Sequence, residues 1–81
     1  QQSAGAGSSF AIALGEEIRR RREASGLSQA VAAAPMGRAF LSRVEQGQAL
    51  PSIPSLLILA ERLDTSAADI LRSVESSLEP D

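Results

Sequence analysis

Two arginines at helical spacing, Arg38 and Arg43, are the side chains with the clearest chemistry in this sequence, and they lie in the stretch GRAFLSRVEQG at residues 37–47. A guanidinium group stays charged at physiological pH and presents several N–H donors in one plane, so it suits a partner rich in acceptors. On a helix, one face of this stretch would carry Arg38, Ala39, Ser42 and Arg43. The opposite face would carry Phe40, Leu41 and Val44. The spacing therefore predicts a short helix with an apolar inner face and a polar outer face.

The charges of the chain are unevenly divided. Between Leu14 and Leu50 six arginines stand against four acids, a balance of +2, and from Pro51 onward two arginines stand against six acids, a balance of -4. The two parts sum to the net charge of -2, and the chain contains no lysine. A basic first part suits a domain that shows one face to a polyanion. Within the run Arg19 to Arg22 a solvated helix face is the commoner outcome, so we expect at most two of the four to reach such a partner.

Several kinds of chemistry are excluded by the composition, because the chain has no cysteine and no histidine. Disulfides, Cys/His zinc sites and histidine-based catalysis are therefore impossible. We expect no metal, no cofactor and no small-molecule ligand. An enzyme would have to work with Asp, Glu and Ser alone, so we do not expect one.

Length and hydropathy indicate one small domain, since 81 residues with 43% hydrophobic residues can bury a single modest core. No apolar run approaches the length of a membrane span, and the opening QQSAGAGSS lacks the basic and apolar parts of a signal peptide. We expect a cytoplasmic protein without membrane contact. Residues 1–8, small and uncharged, are predicted to form a flexible arm.

Apolar spacing and capping residues predict five helices and no strand. The first begins near Ser9, carries Phe10, Leu14 and Ile18 at intervals of four, and ends at Gly26. Pro35 ends helix 2, and Gly47 ends helix 3. The predicted N-caps of helices 2, 4 and 5 are Ser28, Ser52 and Ser66, the last in a capping box with Asp69. The expected core is Leu14, Ile18, Leu27, Val31, Leu41, Val44, Leu56, Leu59, Leu63 and Ile70.

The order of these features resembles the phage-repressor and Cro family of helix-turn-helix DNA-binding domains, the XRE type. The motifs that carry the resemblance are GLSQ at 26–29, FLSRVEQG at 40–47 and PSIPSLLILAERLDTSAADIL at 51–71. The resemblance implies an all-α, five-helix repressor-like bundle with its helix-turn-helix domain in residues 9–72. Residues 73–81 would be a C-terminal helix extension and tail. It also implies a transcription regulator that binds double-stranded DNA.

In this family the second helix of the motif lies in the major groove and the first crosses the phosphate backbone. The resemblance therefore implies that four residues contact bases: Arg38, Ala39, Ser42 and Arg43. Arg43 is the best candidate for guanine, because an arginine that binds guanine O6 and N7 is the commonest specific contact. Five residues match positions that hold phosphates: Gln29, Gln46, Gly47, Gln48 and Ala49.

Two further features follow from the same resemblance. Arg22 and Glu45 match an ion pair that locks helix 1 onto the end of the recognition helix. From Gln29 to Glu45, however, the chain is about two residues shorter than the usual motif. Either helix 2 is shortened and the turn rebuilt, or the natural protein has further residues in this segment that are missing from the sequence.

Regulators of this type bind two half-sites as a dimer, and three apolar residues are candidates for a two-fold interface: Ile58, Val74 and Leu78. Packing of the last helix on its own domain is an equally good interpretation. The rival function is a protein-interaction or antitoxin-like adaptor with the same fold, which the net acidity and Ala39 favour. With few arginines and no lysine, DNA binding should show a salt slope of only about -3 per monomer.

Overall fold

The computed structural model describes residues 8–79, and within this range the chain forms five helices and no strand. The helices are α1 (Ser9–Ala24), α2 (Gln29–Ala33), α3 (Arg38–Glu45), α4 (Ile53–Arg62) and α5 (Ala67–Leu78). The predicted all-α, five-helix fold is therefore confirmed. Residues 1–7, most of the predicted arm, lie outside the described residues.

Serine hydroxyls begin four of the helices, because each accepts a backbone N–H that has no partner within the helix. Ser28 Oγ accepts from the Val31 N–H, and Ser52 Oγ from the Ser55 N–H, as predicted. Ser66 Oγ accepts from the Asp69 N–H, which is the first half of the predicted capping box. The Asp69 carboxylate pairs with Arg72 rather than turning back to Ser66.

The start of the domain lies one residue earlier than predicted. Ser8 was assigned to the flexible arm, but it is the N-cap of α1 and is buried. Its Oγ accepts from the Ala11 N–H at 3.1 Å. Ser8 is therefore part of the folded domain, because the first turn of α1 needs this acceptor.

The core lies where α1 packs against α3 and α5, with α2 and α4 completing it. The predicted core residues are buried except for two. Leu27 is half-buried at the edge of the core. Val31 is 57% exposed, so its assignment to the core is wrong.

The exposure of Val31 follows from the shortness of α2. The inner face of this five-residue helix is formed by Ala32 and Ala33, which are both fully buried. A helix turns by about 100° per residue, so the side chain that precedes Ala32 points away from the contact. After Ala33 the chain turns and reaches α3 within four residues. Helix α2 is thus short in this chain, and the origin of the two-residue difference stays open.

The C-terminal helix corrects one prediction. Helix α5 is continuous from Ala67 to Leu78, across the expected boundary between residues 72 and 73. Val74, a candidate for the two-fold interface, is only 1% exposed and belongs to the core. The reason is that α5 lies along α1, so this part of the helix packs on its own domain, which is the alternative interpretation of this helix.

Candidate nucleic-acid interface

The outer face of α3 is built as the sequence pattern predicts. Leu41 and Val44 are fully buried, which fixes the helix against the core. Arg38, Ala39 and Arg43 are exposed, and Ser42 is half-buried. The four positions span about 140° of the helix circumference at 3.6 residues per turn. They therefore form one continuous strip, which we call the α3 strip (Arg38, Ala39, Ser42 and Arg43).

A close contact between backbones sets the position of α3. Gly15 of α1 lies against the last turn of α3, where a Cβ would be 2.9 Å from the Glu45 carbonyl oxygen and closer still to that of Val44. Only glycine allows the two helices to approach this closely. At the end of α3, Gly47 has a φ of +76° and faces Ile12 of α1. The α3 strip is therefore held by α1 from behind.

An ion pair reinforces the same contact. Arg22 donates to both carboxylate oxygens of Glu45, with Nε–Oε2 at 2.6 Å and Nη2–Oε1 at 3.0 Å, and its Nη1 donates to the Leu27 carbonyl oxygen at 2.8 Å. Both side chains are largely buried. Hydrogen bonding to Glu45 raises the pKa of Arg22 above its usual value, against the opposing effect of burial. The pair joins the end of α1 to the end of α3.

The rest of the arginine run is also bonded to acceptors within the domain. Arg19 pairs with Glu23, and both Arg20 and Arg21 donate to Glu17. Arg21 reaches further, since its Nη1 and Nη2 donate to the hydroxyls of Thr65 and Ser73. These bonds tie α1 to the α4–α5 turn and to α5.

The α3 strip differs from this run in its electrostatics. Among residues 8–79 no carboxylate lies within ion-pair distance of Arg38 or Arg43. The guanidinium carbon of Arg43 instead lies over the Phe40 ring, 5.7 Å from its centroid. The described residues enclose no pocket, and they bring together no group of three potential metal-ligating side chains. The site is thus an open, donor-rich surface.

Comparison with protein families identifies this architecture. A family model described as "Helix-turn-helix domain" matches residues 13–72 of the chain. The chain belongs to this family. The match covers α2 and α3, the two helices that bracket the short turn, and most of the helices that support them. No curated protein matches the chain in sequence.

Solved structures of regulators share the helix-turn-helix fold. The chain is similar to the clp gene regulator ClgR from C. glutamicum, with a TM-score of 0.79 and 26% identity, over 89% of this chain and 96% of that one. It is similar to the restriction-modification controller protein C.AhdI from Aeromonas hydrophila, with a TM-score of 0.69 and 32% identity, over 74% and 94% of the two chains. It is also similar to the competence regulator ComR from Streptococcus vestibularis in its apo form, with a TM-score of 0.73 and 32% identity. That similarity covers 78% of this chain but only 22% of ComR.

Gln29 is the first residue of the helix-turn-helix motif and is already connected to its second helix. Its Nε2 donates to Glu45 Oε1 at 3.0 Å, so Glu45 accepts bonds from both Arg22 and Gln29. A carboxamide nitrogen carries two hydrogens, so one donor of Gln29 remains for an external acceptor. The phosphate contact expected of Gln29 stays a prediction.

The loop after α3 uses most of its amides internally. The N–H groups of Gln46, Gly47 and Gln48 donate to carbonyl oxygens of the last turn of α3, at 2.8–3.1 Å. The Gln46 side chain donates to Ser42 Oγ. These amides close the helix, so the phosphate contacts predicted for this loop would depend on the second N–H of the Gln46 carboxamide, the Gln48 side chain and the Ala49 N–H. These contacts stay predictions.

The remaining members of the predicted two-fold interface lie on the surface of the helix-turn-helix domain. Ile58 is 37% exposed and Leu78 is 43% exposed. Sequence reasoning did not single out the more exposed Ile53 and Leu57, which lie one turn apart on α4. It also missed the contact between Phe40 and Arg43, although a spacing of three residues in a helix signals such a pair.

None of the helices in residues 8–79 combines the length and apolar character that a membrane span requires.

Proposed function

We propose that this helix-turn-helix domain is a transcriptional regulator that binds a specific sequence of double-stranded DNA as a dimer, with α3 in the major groove. The observation that carries the proposal is the α3 strip, which presents two arginines on an exposed helix face with no carboxylate partner among residues 8–79. The regulators and the controller protein of similar structure support it. Regulation would come from occupying the DNA, without any bond being made or broken.

The roles within the strip follow from the chemistry of base edges. Arg43 would donate in two bonds to O6 and N7 of guanine, and Ser42 could donate or accept at either base of a pair. Ala39 offers only a methyl contact, for example to thymine. Arg38, at the start of the helix, would read a base or hold a phosphate. Gln29 would fix the register of the domain by its remaining donor.

A dimer follows from the size of the α3 strip. One recognition helix of eight residues reads few base pairs, and a two-fold pair of such helices reads two half-sites about 34 Å apart. The proposed interface uses Ile58 and Leu78, the two exposed apolar candidates.

In sedimentation experiments, we expect Ile58→Ser and Leu78→Ser to shift the protein toward the monomer. Val31→Ser, which changes an exposed apolar residue elsewhere, should leave the mass unchanged.

Selection of bound sequences from a random duplex pool tests the function. We expect an enriched palindrome with guanine at the position facing Arg43. Arg43→Ala should lower the preference for that guanine by about five- to 150-fold, which corresponds to about 1–3 kcal/mol. Arg72→Ala is the matched control, because it removes the same charge from α5 and should change affinity by no more than about twofold.

Two results would contradict the proposal. An unenriched pool would remove sequence-specific readout. No binding to any duplex at low salt would favour the rival adaptor function, in which the α3 strip meets another protein.

A further inference from the structure

The ring of Phe40 provides a platform beneath the guanidinium group of Arg43. The Arg43 Cζ atom lies over the ring at 5.7 Å from its centroid. Phe40 is half-buried and packs against the core, whereas Arg43 is exposed. At about 100° per residue, Phe40 falls between Arg43 and the buried Val44 on the helix circumference. One edge of the ring is therefore anchored in the core while its face is available to Arg43.

This contact leaves the donors of Arg43 free. A cation over an aromatic face is attracted by the quadrupole of the ring and uses none of the guanidinium N–H groups as conventional donors. Arg22 shows the opposite arrangement, because its Nε, Nη1 and Nη2 all donate within the domain. Arg43 can thus be restrained and still present an unsatisfied fork to an external pair of acceptors.

We propose that Phe40 is a positioning residue that sets the strength of base discrimination by Arg43. The proposal rests on the proposed function and deepens it. Of the many rotamers open to an exposed arginine, the ring favours those near it, so less conformational freedom is lost when the two bonds to guanine form. The anchored ring thereby strengthens the preference for guanine at one position, without itself touching a base edge.

The expected size of the effect follows from the exposure of the contact. Cation–π contacts at exposed sites correspond to a change of about two- to fivefold in an equilibrium constant. Removal of the ring should therefore weaken guanine discrimination about two- to fivefold. It should not abolish discrimination, because Arg43 itself remains.

The experiment combines substitutions at both positions with duplexes that differ in one base pair. Phe40→Leu keeps an apolar side chain but removes the ring face, and Phe40→Tyr keeps the face. Each is made with Arg43 present and with Arg43→Ala. Affinity is measured for the duplex enriched by selection and for the same duplex with adenine at the guanine facing Arg43. Thermal unfolding is followed for every variant.

We expect Phe40→Leu to lower the guanine preference two- to fivefold, Phe40→Tyr to keep it, and neither change to alter the preference when Arg43 is absent. Full preference in Phe40→Leu would overturn the proposal. So would an equal loss in the Arg43→Ala background, because the effect would then come from packing. If Arg43→Ala itself kept the preference, the base contact in the proposed function would fail first.

A measurement on the free protein keeps the proposal testable if Phe40→Leu does not fold or if no duplex is enriched. An aromatic ring shifts protons above its face upfield in the NMR spectrum. The side-chain protons of Arg43 should show this shift in the unsubstituted protein and in Phe40→Tyr, whereas those of Arg38 should not. Random-coil shifts at Arg43 would overturn the proposal independently of DNA binding.

Discussion

Glu17 shows how a single carboxylate decides what neighbouring arginines can do. It is nearly buried in α1 and accepts hydrogen bonds from Arg20 and Arg21. Burial raises the pKa of this carboxyl, but the bonds and charges of the two arginines outweigh burial, so its pKa is lower than the usual 4.5. Glu17 consequently holds Arg20 along α1 and orients Arg21. The guanidinium group of Arg21 also donates to Thr65 and Ser73.

The lowered pKa predicts a pH-dependent stability. Below pH 4.5 the unfolded chain binds a proton at Glu17 that the folded state resists, so stability present above this pH is lost as the pH falls. We expect Glu17→Gln to be about 1 kcal/mol less stable than the unsubstituted protein at pH 7, with the gap closing toward pH 3. Urea unfolding at several pH values measures this gap. Glu16→Gln removes an exposed neighbouring carboxylate and is the control for the loss of one negative charge. A stability difference for Glu17→Gln that is the same at every pH would contradict the assignment.

The position of the α3 strip depends on the contact between α1 and α3. Gly15 faces backbone atoms of Val44 and Glu45, which cannot move aside as a flexible side chain could. Gly15→Ala should therefore separate the helices and destabilise the domain by about 1–3 kcal/mol, although alanine favours the helix itself. Gly26→Ala is the matched control, because a Cβ added there meets open space and the substitution strains only the backbone, whose φ is +73°. We expect Gly26→Ala to destabilise the domain by about 1 kcal/mol.

Chemical denaturation of the two glycine variants distinguishes steric from conformational cost. A Gly15→Ala protein as stable as the unsubstituted one would show that the backbones are not in this close contact. If Gly26→Ala lowered the free energy of unfolding more than Gly15→Ala, backbone conformation would matter more for stability than the close approach of α1 and α3.

The sequence predicts features that depend on nearby residues, but not those that depend on packing against an element distant in the sequence. The N-caps Ser28, Ser52 and Ser66 act on N–H groups three residues away, so the sequence sufficed to predict the helix starts. Val31 was misplaced because one and a half turns of helix contain too little periodicity to define a face.

Two further contacts depend on elements that are distant in the sequence. For Val74 the sequence leaves a two-fold interface and packing on its own domain equally open, because only the position of α1 shows that the domain covers it. The bonds of Arg21 to Thr65 and Ser73 span more than forty residues, so no spacing rule indicates them. In the candidate site, the outward face of α3 could be predicted from helical period, but the internal use of the loop amides could not.

At the scale of the whole molecule, the net charge of -2 does not show how the positive charges are distributed over the surface. The run Arg19 to Arg22 is paired with carboxylates of the same domain, which offset much of its positive charge although Arg19 and Arg20 are exposed. Arg38, Arg43 and Arg62 have no carboxylate within ion-pair distance among residues 8–79, and of these only Arg38 and Arg43 lie in the α3 strip. We therefore expect the electrostatic part of DNA binding to come mainly from Arg38 and Arg43.

This distribution predicts a shallow salt dependence. Each neutralised phosphate contributes about -0.9 to the slope of log K against log salt. The two arginines of the α3 strip therefore give about -2 per monomer, less steep than the -3 expected from the sequence. The slope is measured by anisotropy of a labelled duplex from about 50 to 200 mM KCl. Arg38→Gln should flatten it by about one, and Arg19→Gln should leave it unchanged because Arg19 is held by Glu23. A slope near -4, flattened by Arg19→Gln, would mean that the pairs along α1 open when DNA binds and that the run is a reserve of positive charge.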